Sequence, residues 1–204
     1  GGKPLIYYSI ALAKIINEID RIFVSTDSQK IKSIAIDYGV EVIDRPEELS
    51  QDDSVEWDAW RHAVKYVENK YGKFDKFISL PTTSPLRSQD DVENCLSALD
   101  STCDMAIGVS PSGNNPYFNM IKKNEENIVE IIVPPESGIT RRQDAPDCFN
   151  ITTVAYVTTA NFILNKSNIF DGVCKGVNIT SENAIDLDNK LDFEIAEFLF
   201  NSRS

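Results

Sequence analysis

The sequence predicts an α/β domain built on a mostly parallel sheet, and three observations lead to that class. Short apolar runs typical of buried strands alternate with segments whose apolar residues recur at helical spacing. The alternation continues to about residue 109, as expected for parallel strands joined by helices that cover both faces of the sheet. The 204 residues include 42 % apolar side chains, which suits a single globular domain over residues 1–204.

Residues at the ends of the predicted helices support them. Pro4 stands in the first turn of the first helix. Thr26-Asp27-Ser28 offers N-cap side chains to the second helix, which Gly39 ends. Ser88 and Asp91 resemble a capping box, with Asp in place of Glu or Gln. The predicted helices cover 4–19, 29–38, 54–69 and 88–99, and the predicted strands cover 21–25, 40–43, 74–80 and 104–109.

The pattern changes after residue 109. The remaining predicted elements are hairpin strands over 117–122 and 128–133, strands over 151–158 and 173–179, and a final helix over 189–200. A proline-rich, charged loop over 134–146 separates the hairpin from the rest. A β excursion of this length inside an α/β domain is uncommon and indicates function or oligomer contact. We therefore predict an inserted arm over about 113–148.

Charge and cysteine usage exclude several classes of function. The formal net charge of −12 argues against nonspecific nucleic-acid binding, which needs a basic surface. An anionic substrate would need a metal ion or a few local arginines to offset that field. No apolar run approaches membrane-spanning length, and no signal peptide is recognised. The four cysteines lie far apart without a C-x-x-C pair, so we expect reduced thiols and a cytoplasmic protein.

Two acidic residues stand at the start of the final helix, in Ala184-Ile185-Asp186-Leu187-Asp188. In an extended segment Asp186 and Asp188 point to the same face, while Ile185 and Leu187 point to the other. Mg²⁺ binds to one or two carboxylates of this kind together with water and substrate phosphates. The alternative is that Asp188 only caps the helix and Asp186 is an ordinary solvated acid.

Two polar groups follow strands in the first half of the sequence. Ser25-Thr26-Asp27 ends one strand, and ligands of open α/β sheets gather at the carboxyl ends of strands, so this position suits a nucleotide. Arg45 follows the next strand and could bind a base or a phosphate. A capping turn at Ser25-Thr26-Asp27 and a solvated charge at Arg45 explain the same residues equally well.

Two arginine-containing segments are further candidates. Thr82-Thr83-Ser84-Pro85-Leu86-Arg87 leaves the most central predicted strand, and its hydroxyls and arginine suit a phosphate or carboxylate; the alternative is a proline-stiffened turn. Arg141-Arg142-Gln143-Asp144 follows the hairpin. Two adjacent arginines could clamp a carboxylate, with Arg142 binding bidentately; the alternative is a salt bridge within the protein.

Taken in order, these motifs resemble the CMP-sialic acid synthetases, the cytidylyltransferases that make CMP-activated nonulosonic acids. The segments are G-K-P-L-I, V-S-T-D-S-x-x-I, R-P-E-E-L, T-S-P-L-R, R-R-Q-D-A-P and I-D-L-D-x-x-x-D-F-E-I-A-E. The resemblance extends over essentially the whole sequence. It implies a Rossmann-like nucleotide-diphospho-sugar transferase fold and a homodimer formed through a projecting β arm.

The resemblance also implies an activity, the transfer of CMP from CTP to an acidic nine-carbon sugar with release of pyrophosphate. Asp186 and Asp188 correspond to the Mg²⁺-binding pair. Arg142 corresponds to the arginine that engages the acidic sugar, and its neighbours Arg141 and Gln143 are predicted to contact the same substrate.

Four further residues complete the predicted site. Arg45 corresponds to a contact with the nucleotide base, and Thr83 and Ser84 line the nucleotide crevice. Tyr156 ends the segment Thr152-Thr153-Val154-Ala155-Tyr156, which stands where the family has N-G-A-x-Y near the sugar. Together with Asp27, these residues form the predicted nucleotide and sugar site.

The sequence departs from the family pattern at three places. The family opens with a strand and a phosphate loop of the type A-R-G-G-S-K-G-I-x-x-K-N, whereas this chain begins at Gly1-Gly2-Lys3-Pro4, just after that element. Pro81 stands where sialic-acid enzymes commonly have glutamine, and the N-G-A-x-Y segment is altered. The sugar therefore need not be N-acetylneuraminic acid. Two alternatives remain, an inactive homologue that only folds and dimerises and a nucleotidyltransferase for another nucleotide or sugar.

Overall fold

The structure is a computed structural model that describes residues 1–51, 54–134 and 141–203. Its α-helices are α1 (Leu5–Ile15), α2 (Gln29–Asp37), α3 (Glu56–Tyr71), α4 (Gln89–Ala98), α5 (Ala160–Asn165) and α6 (Lys190–Ser202). Its strands are β1 (Phe23–Thr26), β2 (Glu41–Asp44), β3 (Lys76–Ser79), β4 (Met105–Pro111), β5 (Ile121–Lys123), β6 (Val129–Ile131), β7 (Phe149–Thr159) and β8 (Cys174–Asn178). Short 3₁₀ turns cover Glu47–Leu49 and Arg142–Asp144.

A four-stranded sheet in the order β3-β7-β4-β8 forms the centre of the α/β body. Strands β3 and β4 both run antiparallel to β7, and β8 is parallel to β4, so three of the four strands share one direction. Strands β1 and β2 form a separate parallel pair, and β5 and β6 form the predicted hairpin. The α/β class is confirmed, and β7 is the strand that runs against the others.

Helices cover both faces of this sheet, and each face has its own core. The core under α1 and α4 includes Ile16, Val92, Leu96, Ala106 and Val157. The core under α3 and α5 includes Trp57, Trp60, Met105, Tyr156 and Ile163. This two-sided burial explains why the strands read as nearly continuous apolar runs.

A cavity of about 1340 Å³ lies between β1 and β3. In the described part of the chain, β1 pairs only with β2 and β3 pairs only with β7, so the sheet is interrupted between them. The cavity walls come from α1, α3, β1 and β3 and include Ile10, Val64, Phe23 and Phe77.

Helix ends follow the predicted caps, with one correction. Ser28 caps α2, and Ser88 forms a capping box with Asp91 at α4, as predicted. At α6 the capping residue is Asn189, which forms a capping box with Asp192. The alternative that Asp188 caps the final helix is therefore wrong, because the neighbouring asparagine makes those hydrogen bonds.

Several predicted boundaries also change. The first helix ends at Ile15 instead of residue 19. The hairpin strands are three residues each, because a turn over 117–119 replaces the start of the first predicted strand. Helix α5 was not predicted; Thr159 caps it by accepting a hydrogen bond from the Phe162 amide, at 3.1 Å. Part of the predicted arm, residues 135–140, lies outside the described residues.

Candidate active site

The loop after β3 is held in place by the buried guanidinium of Arg87. This group donates hydrogen bonds to the hydroxyl of Ser9 on α1, the carbonyl of Thr153 on β7, both at 3.0 Å, and the carbonyl of Pro81. Only 7 % of Arg87 is exposed. Burial lowers the pKa of Arg87 to about 10, while the nearby charges of Asp186 and Asp91 oppose that shift. Arg87 therefore remains a cation at neutral pH and is directed into the protein.

The hydroxyl groups of this loop are tied to β7. The Ser84 hydroxyl lies 2.6 Å from the Thr153 hydroxyl, and the Thr83 hydroxyl donates to the same oxygen at 3.4 Å. Ser84 is completely buried, whereas Thr83 lines the cavity. The structure thus offers Thr83 to a ligand, and it places Ser84 among the groups that support the loop, where it cannot reach a nucleotide without rearrangement.

The predicted acidic pair lies directly beside this loop. The backbone amide of Leu187, between the two acids, donates to the carbonyl of Thr83 at 2.9 Å. One carboxylate oxygen of Asp186 is buried and has no hydrogen-bond partner among the described residues. Asp188 is exposed at the start of α6. Buried carboxylate oxygens are normally satisfied, so the free oxygen of Asp186 calls for a ligand.

Asp186 and Asp188 are the two carboxylates beside this loop that could hold a hard cation. In the described part of the chain, no group of three or more His, Cys, Asp or Glu side chains could hold a metal ion. A cation on Asp186 and Asp188 would therefore take its other ligands from water and from a bound phosphate, which is the ligand set that Mg²⁺ prefers.

Tyr156 lies at the centre of β7, where its ring packs 5.3 Å from that of Trp60. Burial, together with the negative charges of Glu56 and Asp186, raises the pKa of Tyr156 to about 12. The phenol is therefore neutral, and most of the ring belongs to the core. Tyr156 is not among the described residues that line the cavity, and its contact with a substrate stays a prediction.

Glu56 is a candidate that the sequence did not indicate. It is the first residue of α3 and lines the cavity. Burial raises the pKa of Glu56, against a hydrogen bond from Trp60 and the charge of Arg45. The residue carries no motif, and only the packing of α3 against the cavity brings it near Arg45 and Tyr156.

Arg45 and Asp27 lie at the carboxyl ends of β2 and β1 and both line the cavity. The Arg45 guanidinium donates to the carbonyl of Ser25 at 2.7 Å and to its hydroxyl at 3.2 Å. It is thus held across the end of β1, opposite the Thr83 loop. The structure therefore brings Asp27, Arg45 and Thr83 to one cavity, as the rule for strand ends predicts.

The arginine pair in the second half is not part of this cavity. Arg141 forms an ion pair with Asp144 at 3.1 Å, which is the structural alternative for that residue. Arg142 donates to the carbonyl of Gly113 at 2.9 Å, and both Arg142 and Gln143 are exposed. Arg141 is thus paired with Asp144 in this structure, and the two-arginine clamp stays a prediction. The side chain of Arg142 is exposed and held by the Gly113 carbonyl, and its contact with an anion stays a prediction.

The protein is an α/β domain with a cavity at the carboxyl ends of β1, β2 and β3, where domains of this class bind their ligands. A family model described as cytidylyltransferase matches residues 1–126, and the chain belongs to that family.

Relatives and solved structures agree with this assignment. Post-translational flagellin modification protein B of Campylobacter coli is 33 % identical over 207 residues, which cover 98 % of this chain and 85 % of that protein. CMP-N,N'-diacetyllegionaminic acid synthase of Campylobacter jejuni is 31 % identical over 204 residues, with 98 % and 85 % covered. The structure of CMP:2-keto-3-deoxy-manno-octonic acid synthetase complexed with CTP has a TM-score of 0.72 at 14 % identity, covering 100 % of this chain and 90 % of that one.

None of the helices in the described ranges combines the length and the apolar character needed to cross a bilayer.

Proposed function

We propose that this cytidylyltransferase transfers CMP from CTP to a sialic acid-like nonulosonic acid and releases pyrophosphate. The observation that carries the proposal is the unpartnered, buried oxygen of Asp186 beside a loop that lines the cavity. The similarity to a CMP-N,N'-diacetyllegionaminic acid synthase over nearly the whole chain supports an acidic nine-carbon sugar as the acceptor.

Catalysis of this reaction depends mainly on positioning the substrates and neutralising their charge, and the protein takes little part in covalent chemistry. A hydroxyl of the sugar attacks the α-phosphate of CTP, and pyrophosphate leaves. In this proposal Arg45 contacts the base, and Thr83 lines the nucleotide crevice. Asp186 and Asp188 would hold Mg²⁺, which when bound supplies a Lewis acid and offsets the phosphate charge. That offset matters in a protein whose net charge is −12.

The proposal includes a homodimer formed through the β5–β6 arm. A two-stranded hairpin is marginal in water without a partner surface. The arm and its base leave large apolar side chains exposed, namely Phe118, Met120, Ile121, Ile128, Val129, Ile132, Phe149 and Ile151. Arg142 lies outside the cavity of its own chain. In the proposed dimer, it would reach the sugar bound by the other copy and hold the sugar carboxylate bidentately.

We further infer that the protein acts in the cytoplasm. All four cysteines are free thiols, and free thiols suit a reducing compartment, where CTP is also made available to synthetic enzymes.

Pyrophosphate release tests the proposed reaction. CTP, ATP, GTP and UTP are each offered with N-acetylneuraminic acid, N,N'-diacetyllegionaminic acid and 2-keto-3-deoxy-manno-octonic acid. We expect release only with CTP and with a nine-carbon acid. Equal release with another nucleotide would move the protein to a different substrate class. Calorimetry that detects no nucleotide binding by a folded dimer would favour an inactive homologue.

Light scattering tests the dimer separately. We expect twice the chain mass at micromolar concentration, and a monomer for a variant in which Ile121 and Val129 are both replaced by serine. A wild-type chain that stays monomeric would remove the dimer, and with it the proposed route of Arg142 to the sugar.

A further inference from the structure

The segment that carries the two candidate metal ligands, residues 184–188, belongs to no helix or strand. It is tied to the loop after β3 where the Leu187 amide donates to the Thr83 carbonyl at 2.9 Å. Asp186, which has a buried oxygen without a described partner, directly precedes this contact. The chain can pivot about a single hydrogen bond, so the direction of the Asp186 carboxylate depends on a second anchor.

Asn183 provides that second anchor through its side chain. Its amide nitrogen donates to the carboxylate of Asp91 at 2.6 Å, and its carbonyl oxygen accepts from the guanidinium of Arg203 at 2.7 Å. The backbone amide of Asn183 donates to the Thr180 carbonyl at 3.1 Å, in a turn that follows β8. Because both the donor and the acceptor of the side-chain amide are engaged, these contacts select one orientation of the side chain.

Both partners of the Asn183 side chain also support the loop after β3. Asp91 is buried and accepts a hydrogen bond from the Ser88 amide at 2.8 Å, as part of the capping box that begins α4 directly after this loop. Arg203 follows α6 and donates to the Leu86 carbonyl of the same loop at 2.9 Å. Asn183 therefore joins the start of α4 and the end of α6 to the segment that carries the acids.

We infer that Asn183 is a positioning residue for the candidate metal site and that, together with the Leu187–Thr83 hydrogen bond, it holds Asp186 against the loop after β3. The two anchors lie three residues before Asp186 and one residue after it. A carboxylate held in this way keeps its direction before a cation arrives, which reduces the cost of ordering the site on binding. The inference rests on the proposed function only in assigning Mg²⁺ to Asp186.

Hydrogen exchange tests this inference without any ligand. Asn183→Ala removes both side-chain hydrogen bonds of this anchor. We expect the peptide over 184–190 to exchange about tenfold faster than in the wild-type chain, because the Leu187 amide then opens more often. Unchanged exchange of this peptide in Asn183→Ala would overturn the inference.

Ser88→Ala is the matched control. It removes the 3.2 Å hydrogen bond from the Asp91 amide to the Ser88 hydroxyl and so weakens the cap of α4. The contact between Asn183 and Asp91 stays in place. Ser88→Ala should therefore speed exchange within α4 and leave the peptide over 184–190 unchanged. Equal acceleration of that peptide in both variants would mean that it responds only to general destabilisation, which also overturns the inference.

The Mg²⁺ dependence of pyrophosphate release separates positioning from stability. Asn183→Ala should raise the Mg²⁺ concentration for half-maximal rate about tenfold, the usual effect of removing a residue that orients a metal ligand. The maximal rate at saturating Mg²⁺ should change less. Ser88→Ala should keep the wild-type Mg²⁺ dependence although its melting temperature falls. A lower melting temperature in Asn183→Ala without a change in Mg²⁺ dependence would show that the residue is only structural.

Arg203→Ala decides the point if Asn183→Ala does not fold. Arg203 is exposed, so its replacement should be tolerated, and it removes one of the two side-chain hydrogen bonds of Asn183. We expect about threefold faster exchange over 184–190, and no change would overturn the inference. If the wild-type chain releases no pyrophosphate with any nucleotide, the proposed function fails, while faster exchange in these variants would still support Asn183 as the anchor of Asp186.

Discussion

The two halves of the molecule differ in how their strands are paired. In the half built on β3, β7, β4 and β8, the inner strands have partners on both sides and residues such as Val157 are completely buried. In the half built on β1 and β2, each strand has one described partner, and β1 faces a cavity of about 1340 Å³. The difference teaches that the candidate metal ligands and two candidate nucleotide contacts, Asp27 and Arg45, belong to regions with different strand pairing.

We call the β3-β7-β4-β8 part the well-packed half and the β1–β2 part the weaker half. The candidate site has residues in both. Asp186 is tied through Leu187 to the well-packed half, whereas Asp27 and Arg45 belong to the β1–β2 half. A nucleotide that contacts Arg45 and a metal on Asp186 would therefore link the two halves. Ligand binding should then stabilise the weaker half more than the stronger one.

The largest expected effect concerns the well-packed half. Asp186→Asn should lower Mg²⁺-dependent CMP transfer by about 100-fold or more, since a metal ion contributes several kcal/mol of charge stabilisation. The melting temperature should change little. Pyrophosphate release against Mg²⁺ concentration measures the effect, and Asp192→Asn, which weakens the α6 capping box, is the control for stability. Wild-type turnover in Asp186→Asn would disprove the metal assignment.

The next prediction compares one apolar residue from each half. Ile107→Ala in β4 removes a buried side chain and should reduce the free energy of unfolding by about 2–5 kcal/mol. Ile31→Ala in α2 alters a side chain that is 38 % exposed beside the cavity, and its effect should be about 1 kcal/mol or less. Urea denaturation gives both values. Equal losses would mean that the two halves are packed equally well.

Hydrogen exchange should show that the two halves differ in the free energy of local opening, and we expect this difference to be smaller than the effects above. Amides of β1 and β2 should exchange through local opening, ahead of those in β4 and β7, because a two-stranded pair is marginal on its own. Exchange measured by mass spectrometry on peptides that contain each strand would show the order. Simultaneous exchange of all four strands would indicate one cooperative unit.

The smallest expected effects are two opposite pH dependences. Burial raises the pKa of Glu56 beside the cavity, so the folded state holds its proton more tightly than the unfolded chain. The stability that Glu56 contributes falls as pH rises above the pKa of this group in the unfolded chain. Glu56→Gln should therefore stabilise the protein at about pH 7 but not below about pH 4. Glu56 is exposed by surface area, so solvent screening keeps this effect small.

For Asp100, in the well-packed half, stability depends on pH in the opposite direction. Hydrogen bonds from Lys175 and Thr102 hold the pKa of Asp100 well below its usual range. Asp100 contributes to stability at pH values above its pKa in the unfolded chain, and this contribution is lost as pH falls. Asp100→Asn should therefore destabilise the protein at about pH 7. The group is exposed, and solvent screening keeps the effect small. Melts of both variants across this range should move in opposite directions; parallel changes would contradict the assignment of either environment.

Local signals in the sequence predicted much of this fold. Ser28 and Ser88 cap their helices as predicted, because a capping hydrogen bond depends on residues only three positions apart. The predicted positions of Asp27, Arg45 and Thr83 at strand ends also agree with one shared cavity. The cap of α6 was misplaced by one residue, since Asp188 and Asn189 are both good capping residues.

Contacts between segments that are distant in the sequence could not be predicted from local sequence patterns. Nothing near Arg87 in the sequence shows that Ser9 and Thr153 meet its guanidinium. Likewise, Glu56 joins the cavity only through the packing of α3 against the sheet. The free oxygen of Asp186 could not be foreseen, because it depends on which donors the fold leaves out of reach.

The placement of the two tryptophans has a consequence for spectroscopy. Trp57 and Trp60 are both on α3, with ring centroids 5.4 Å apart, and both belong to the core under α3 and α5. Intrinsic fluorescence therefore reports that core and the cavity wall beside it, while α2 and β2 contribute no indole signal. A melt followed by fluorescence will register the well-packed half, and a circular dichroism trace that begins to change at lower temperature would be the optical signature of β1 and β2 opening first.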